Sequence, residues 1–191
     1  SPFNWFKQNA SQLGGIRQGM VVSWPNRIKD VGGLREQFMH IDDIVPTILE
    51  ATGIPAPETV DGIKQSPIEG TSFAYTFDKA NAKEPSRHKV QYYEMMGQWA
   101  LYNEGWLLST KVNRAPWQAF GAANPDPLNN QVLQLYNLNE DFSQNNDLAK
   151  QNPAKVKEMK EQFIKEAKKY QVLPMDASVP ARIVAPRPNI T

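Results

Sequence analysis

Lys7 sits among aromatic residues in SPFNWFKQNASQLGGIRQGMVVSWP (1–25), shortly before the Gly14-Gly15 pair. A glycine turn that carried it to a dry site would let its charge hold a developing anion. On an ordinary turn it is a surface lysine. His40 precedes Asp42 and Asp43, which suggests a carboxylate–histidine metal site. In a strand, however, residues 40 and 42 share a face, while Asp43 is committed to capping the helix that follows. We therefore read His40 as a structural, hydrogen-bonded histidine at a strand end. His88 lies in a charged loop and carries no pattern. Asp61-Gly62, Asp126 and the Asn137–Asp147 run lack the alternating oxygen ligands of a calcium loop and read as turns. There is no glycine-rich phosphate loop and no Gly-x-Ser-x-Gly elbow. With no cysteine and only two histidines, thiolate chemistry is excluded and imidazole chemistry is scarce.

These residues need elements to position them. MVVSW (20–24) reads as a short buried strand that leaves the Gly-Gly turn and stops at Pro25. QFMHI (37–41) reads as a second short strand. DIVPTILEATG (43–53) has helix punctuation: Asp43 as cap, Pro46 in the first turn, an apolar face of Ile44, Ile48 and Leu49, and Gly53 as stop. Residues 54–88 read mostly as loop. KVQYYEM (89–95), QWALYNE (98–104), GWLLSTK (105–111) and QVLQLYN (131–137) then form four antiparallel strands, with a hairpin turn at Asn103-Glu104-Gly105. NPAKVKEMKEQFIKEAKKY (152–170) supplies a covering helix. Asn152 caps it, Pro153 starts it, and Val156, Met159, Phe163, Ala167 and Tyr170 line one face. Its lysine- and glutamate-rich face is solvated. The prolines after Leu173 make the tail extended.

The fold class expected is α/β, more fully the end of an α/β layer followed by a small antiparallel sheet under a long helix. The expected domains are 1–75, 76–172 and a proline-rich tail, 173–191. Of the 191 residues, 40% are hydrophobic and 21% charged, as in an ordinary globular protein. A formal net charge of +1 gives no global field for nucleic acid or acidic lipid, so no nucleic-acid partner is expected. No apolar run approaches the ~20 residues that span a bilayer. The chain begins mid-pattern, and we expect it to be part of a longer protein.

Several stretches, taken in order, resemble the type I sulfatases. Gly14-Gly15-Ile16-Arg17 with MVVSWP is similar to their Gly-Gly-x-Arg segment and the strand after it. Residues 43–55, DIVPTILEATGIP, resemble their Asp-x-x-Pro-Thr-Leu-Leu…Gly-Ile helix. Asp61-Gly62 and the Gly70-x-Ser72 segment resemble the loop leading out of the catalytic domain. Leu135-Tyr136-Asn137-Leu138, Asp141 and Asn146-Asp147-Leu148-Ala149 resemble the Leu-Tyr-Asp-Leu…Asn-Leu-Ala signature ahead of the last helix. The resemblance spans residues ~5–170 and implies the C-terminal portion of a bacterial arylsulfatase, with an alkaline-phosphatase-like catalytic domain.

It also implies what lies elsewhere. The formylglycine nucleophile and the calcium ligands belong upstream in the family, so this chain alone is expected to be inactive. Ser178-Val179-Pro180-Ala181-Arg182 has the short pattern at which some sulfatases make formylglycine. The family's leucine-rich helix start is absent after it, and Ile183-Val184-Ala185-Pro186-Arg187-Pro188 cannot continue a helix, so we read the match as coincidence. One functional residue carries over: Lys7 occupies the place of a family lysine that contacts the sulfate. Its implied role is to hold a sulfate oxygen while the formylglycine hydrate attacks sulfur. Arg17 matches the family arginine, to which we assign packing of the turn. The implied substrate is a small sulfate ester, the implied location is the periplasm or outside the cell, and the implied partner is the missing N-terminal portion. A phosphodiesterase or phosphonate hydrolase of the same fold is an alternative. So is a noncatalytic carbohydrate- or protein-binding module using tryptophans as a platform, a reading that burial of Trp99 and Trp106 would remove.

Overall fold

The computed structural model describes residues 2–115, 117, 118, 123–178, 184 and 186. The helices are α1 (Leu13–Ile16), α2 (Ile44–Thr52, entered through a 3-10 turn at Ile41–Asp43) and α3 (Pro153–Lys169). The strands are β1 (Thr59–Val60), β2 (Ile63–Lys64), β3 (Val90–Met95), β4 (Gln98–Asn103), β5 (Trp106–Thr110) and β6 (Leu133–Asn137). The chain divides into two compact units, one of Ser1–Gln18 with Tyr92–Thr191, the other of Gly19–Gln91.

In the first unit a four-stranded sheet runs in the order β3-β4-β5-β6. Its hairpins close through Met96-Gly97 and Glu104-Gly105, all four residues at positive φ. Paired left-handed residues twist a two-residue turn in the sense the strands require. Register follows directly, with Leu101 opposite Leu108 and Leu108 opposite Leu135. The α3 helix covers one face through Met159, Phe163 and Ala167, which recur at spacings of four and are fully buried. The Phe163 ring stacks on Trp99 at 4.2 Å, and the Trp99 indole donates to the Pro127 carbonyl at 3.1 Å. Truncating a buried ring of this kind costs about 3–5 kcal/mol. Pro153 opens the helix as expected, but Asn152 does not cap it with its side chain. Its amide instead donates to the Leu148 carbonyl, 3.1 Å away. The four strands and their covering helix are those expected from the sequence.

The second unit departs further. DIVPTILEATG forms α2 and stops at Gly53, whose φ of 68° is the left-handed cap that glycine favours. Asp61-Gly62 is the turn of the β1–β2 hairpin. MVVSW is not a strand, and Val21 is 95% exposed. QFMHI is not a strand either, and side chains take two of its backbone amides: Phe38 donates to Ser86 Oγ and His40 to Asp43 Oδ2, each at 2.7 Å. Both segments have strand-forming residues, but a strand exists only with a ladder partner, and neither has one among the described residues.

Ser178 is the last described residue of the Ser-x-Pro-x-Arg stretch. Residues 179–183, most of the tail after them, and Pro116 and Gly121 lie outside the described residues.

Candidate functional site

Lys7 is exposed, in a turn whose path is set by main chain rather than by its own side chain. Asn9 is buried and closes the turn on Phe6, its backbone and side-chain amides both donating to the Phe6 carbonyl, at 3.3 and 3.0 Å. Trp5 and Gln8, on either side of Lys7, have positive φ of 63° and 83°. Such conformations cost non-glycine residues about 1–3 kcal/mol and persist only when the surroundings dictate them. The Gly14-Gly15 pair is that surrounding. A Cβ on Gly14 would overlap the carbonyl oxygens of Asn4 and Trp5, and one on Gly15 the carbonyl oxygen of Asn9. Only glycine lets α1 pack directly against the backbone that carries Lys7. Arg17 ends this segment with its guanidinium 4.2 Å from the Phe142 ring centroid and 5.7 Å from that of Phe3. That is a packing role. Exposed Phe6 stacks with exposed Trp117, ring centroids 6.0 Å apart.

The second unit holds a different charged centre. Asp43 is 1% exposed and accepts from the amides of His40 (2.7 Å) and Thr71 (2.6 Å). His88 Nδ1 lies 2.8 and 2.9 Å from its two oxygens. His88 Nε2 lies 3.0 Å from the Val90 carbonyl, which can only accept, so that nitrogen carries a proton. Facing a carboxylate with Nδ1 and a carbonyl with Nε2, the ring is suited to the doubly protonated, cationic state. Burial lowers the His88 pKa, but the Asp43 hydrogen bond and charge, helped by Val90, outweigh it, and the net direction is up. For Asp43 burial acts to raise the pKa, yet the hydrogen bonds from His88, His40 and Thr71 and the His88 charge prevail, and the net direction is down.

Two expectations change here. Asp43 does not cap α2 with its side chain; its carboxylate reaches back to His40 and across to Thr71 and His88. His88 is not a patternless loop residue but the buried partner of that carboxylate. His40 Nδ1 lies 2.8 Å from Asp42 Oδ1, in keeping with a structural histidine. Sequence reasoning missed the pair because its members are 45 residues apart and nothing local marks His88.

Atoms of Asp42, Asp43 and His88 able to ligate a metal fall within 4.8 Å of one another. Calcium does not fit them. It takes about six to eight oxygen ligands, whereas both Asp43 oxygens accept amide hydrogens and both His88 nitrogens are engaged. The Trp99 ring is completely buried against Phe163, which removes it from any surface platform, while Trp106 is half-buried. Among the described residues no helix is long and apolar enough to cross a membrane.

No family model and no curated protein sequence matches the chain. Solved structures do show likenesses. One is a Bacteroides thetaiotaomicron protein, BT33336S-sulf, described with the metabolism of multiple glycosaminoglycans. It is 22% identical with a TM-score of 0.41, over 66% of this chain and 24% of that one. Another is Ps i-CgsB, at 21% identity and a TM-score of 0.47, over 74% and 27%. A third is BT4656 in complex with its substrate D-glucosamine-2-N,6-O-disulfate, at 16% identity and a TM-score of 0.43, over 69% and 24%. The chain spans about a quarter of the length of these structures.

Proposed function

We propose that this chain is the C-terminal portion of a sulfuric ester hydrolase, an arylsulfatase, and that Lys7 binds the sulfate group of its substrate. The observation that carries the reading is the Lys7 turn. Gly14 and Gly15 lie against the backbone of residues 4–6 and 9 and present an exposed ammonium with no hydrogen bond or ion pair among the described residues. The order of segments that resemble the sulfatases, and the four-stranded sheet under its terminal helix, support the same assignment.

The reaction is hydrolysis of a sulfate ester: the bond from sulfur to the ester oxygen breaks, water supplies the new oxygen on sulfur, and the alcohol leaves with a proton. Lys7 donates to a non-bridging sulfate oxygen and offsets charge as the ester oxygen departs. Formylglycine and calcium, which the resemblance calls for, come from sequence upstream. Met20, Val21 and Val22 are exposed, and an apolar run of this kind supports a packing surface for that upstream portion. The protein works in the periplasm or outside the cell.

Lys7→Ala in the full-length protein tests the reading. Removing one positioned donor to a developing anion costs about 10²–10³ in kcat, so aryl sulfate turnover should fall by that order with unchanged thermal unfolding. A loss of less than about tenfold would return Lys7 to the status of a surface lysine. The present chain by itself should turn over no aryl sulfate above a blank.

A further inference from the structure

The Lys7 turn is gripped from far away in sequence. Gln144 is 2% exposed, and its Oε1 accepts the Leu13 amide at 2.7 Å, across 131 residues. That amide is the first of α1, which no intrahelical carbonyl can satisfy. The Gln144 backbone carbonyl takes the Asn4 side-chain amide at 3.4 Å. One residue therefore holds both ends of the Asn4–Leu13 segment, with Lys7 between them.

Gln144 is itself fixed. Its φ is 58°, a conformation that a non-glycine residue keeps only when its surroundings enforce it. Its amide donates to the Asp141 carbonyl at 3.3 Å, and the Asp141 amide donates to the Asn137 carbonyl at 2.8 Å. Asn137 is the last residue of β6, paired with Trp106 in the sheet. The Asp141 carboxylate accepts from the amides of Asn145 and Asn146 at 3.0 and 2.8 Å, closing the loop. The chain of contacts thus runs from a rigid sheet through a strained, buried glutamine to the turn. Lys7 makes no hydrogen bond or ion pair of its own among the described residues, so the place of its Cα follows from how the segment on either side of it is held.

We infer that Gln144 is a positioning residue that sets the Lys7 ammonium against the sulfate. The inference rests on the reading of Lys7 given above. A group that acts through geometry has a characteristic signature, because displacement by about 1 Å can cost about 10²-fold in rate. The loss falls on kcat more than on KM when the interaction is made mainly in the transition state.

The test uses the full-length protein with an aryl sulfate, and compares Gln144→Leu, Lys7→Ala and the double variant. Gln144→Gly serves as a second variant, since it keeps the positive φ without strain and removes only the side chain. Hydrogen exchange of the Leu13 amide reports the clamp itself. The expected result is a fall in kcat of about 10²-fold for either Gln144 variant, with KM little changed, faster Leu13 exchange, and no further loss when Lys7 is already alanine. Faster Leu13 exchange with wild-type kcat would overturn the inference, because the clamp would then serve stability alone. An equal loss in the Lys7→Ala background would overturn it too, since Gln144 would not be acting through Lys7. If Lys7→Ala retains wild-type rate, the reading of Lys7 falls and this inference with it. If Lys7→Ala is crippled and both Gln144 variants are not, the inference alone falls.

Discussion

The Lys7 turn and the Asp43–His88 pair use charged side chains in opposite ways. Around Lys7 the support acts on the backbone: glycine contacts, two left-handed residues and a distant glutamine side chain fix its path, and the ammonium is left exposed. Around Asp43 the charged groups themselves are held, by backbone amides, a backbone carbonyl and each other. The carboxylate and imidazole are buried, and their bonding capacity is used by His40, Thr71, Val90 and each other. A charge with free bonding capacity on a rigid support can meet a ligand. A charge whose bonds are all used within the protein holds the fold together. The buried acidic and imidazole pair, which looks the more catalytic by residue type, spends its hydrogen bonds inside the protein, whereas the Lys7 ammonium spends none among the described residues.

The largest effect should come from breaking the saturated centre. Asp43→Ala strips buried His88 of its hydrogen-bonded carboxylate and leaves only the neighbouring Asp42 charge, and removing one partner of a buried pair costs about 3–5 kcal/mol. Chemical denaturation of the full-length protein should show a loss of that order, whereas Lys7→Ala should leave the midpoint unmoved. A loss below about 1 kcal/mol, the scale of an exposed pair, would erase the contrast between the two regions.

Gly15→Ala sharpens it from the other side. The added methyl meets the Asn9 carbonyl, and overpacking of this kind costs about 1–3 kcal/mol. Because the crowding falls on the backbone next to Lys7, kcat for an aryl sulfate should drop along with stability. Gly32→Ala is the control for stability without catalysis. Its φ of 73° also disfavours a side chain, but open space surrounds it, so stability alone should fall. Equal catalytic losses from the two substitutions would show that the Gly14-Gly15 contact has no special bearing on Lys7.

How much of this was legible in the sequence depended on the range of the interaction. The sheet was legible because each hairpin is a local event: Glu104-Gly105 lies between β-rich runs, and α3 declares its apolar face every three or four residues. The α2 helix was legible from Pro46 and Gly53. MVVSW forms no strand because its composition reports a preference for pairing but cannot supply the partner. His88 and Gln144 were invisible for the same reason. Their partners, Asp43 and Leu13, lie 45 and 131 residues away. Of the candidate site, the close-packed glycine pair was legible, while the clamp that holds the turn was not.

The pH response should separate the two regions next. His88 has its pKa raised above 6.5 in the folded protein, so its contribution is complete below that value and is lost as pH rises through the folded pKa. Asp43 has its pKa lowered below 3.8, so its contribution is present above that value and is lost as pH falls through the folded pKa. The pair therefore stabilises the protein most between pH 3.8 and 6.5. Thermal unfolding followed against pH should show stability declining on the alkaline side of that window. In His88→Leu the alkaline decline should flatten. A decline of the same steepness in the variant would assign it to other groups.

The smallest effect concerns Arg17. Its guanidinium lies over Phe142 and near Phe3 in the same unit, and an exposed cation–π contact is worth about 0.5–1 kcal/mol. Arg17→Gln should lower stability by about that amount and leave aryl sulfate turnover nearly intact, because the turn that carries Lys7 is held by Gly14, Gly15 and Gln144 rather than by this stack. The sequence motif places the arginine two residues after the glycine pair, so the result is informative in both directions. If turnover falls as steeply as in Lys7→Ala while stability barely moves, Arg17 leaves Phe142 to meet the substrate. The free charge of this region would then be shared between a lysine and an arginine.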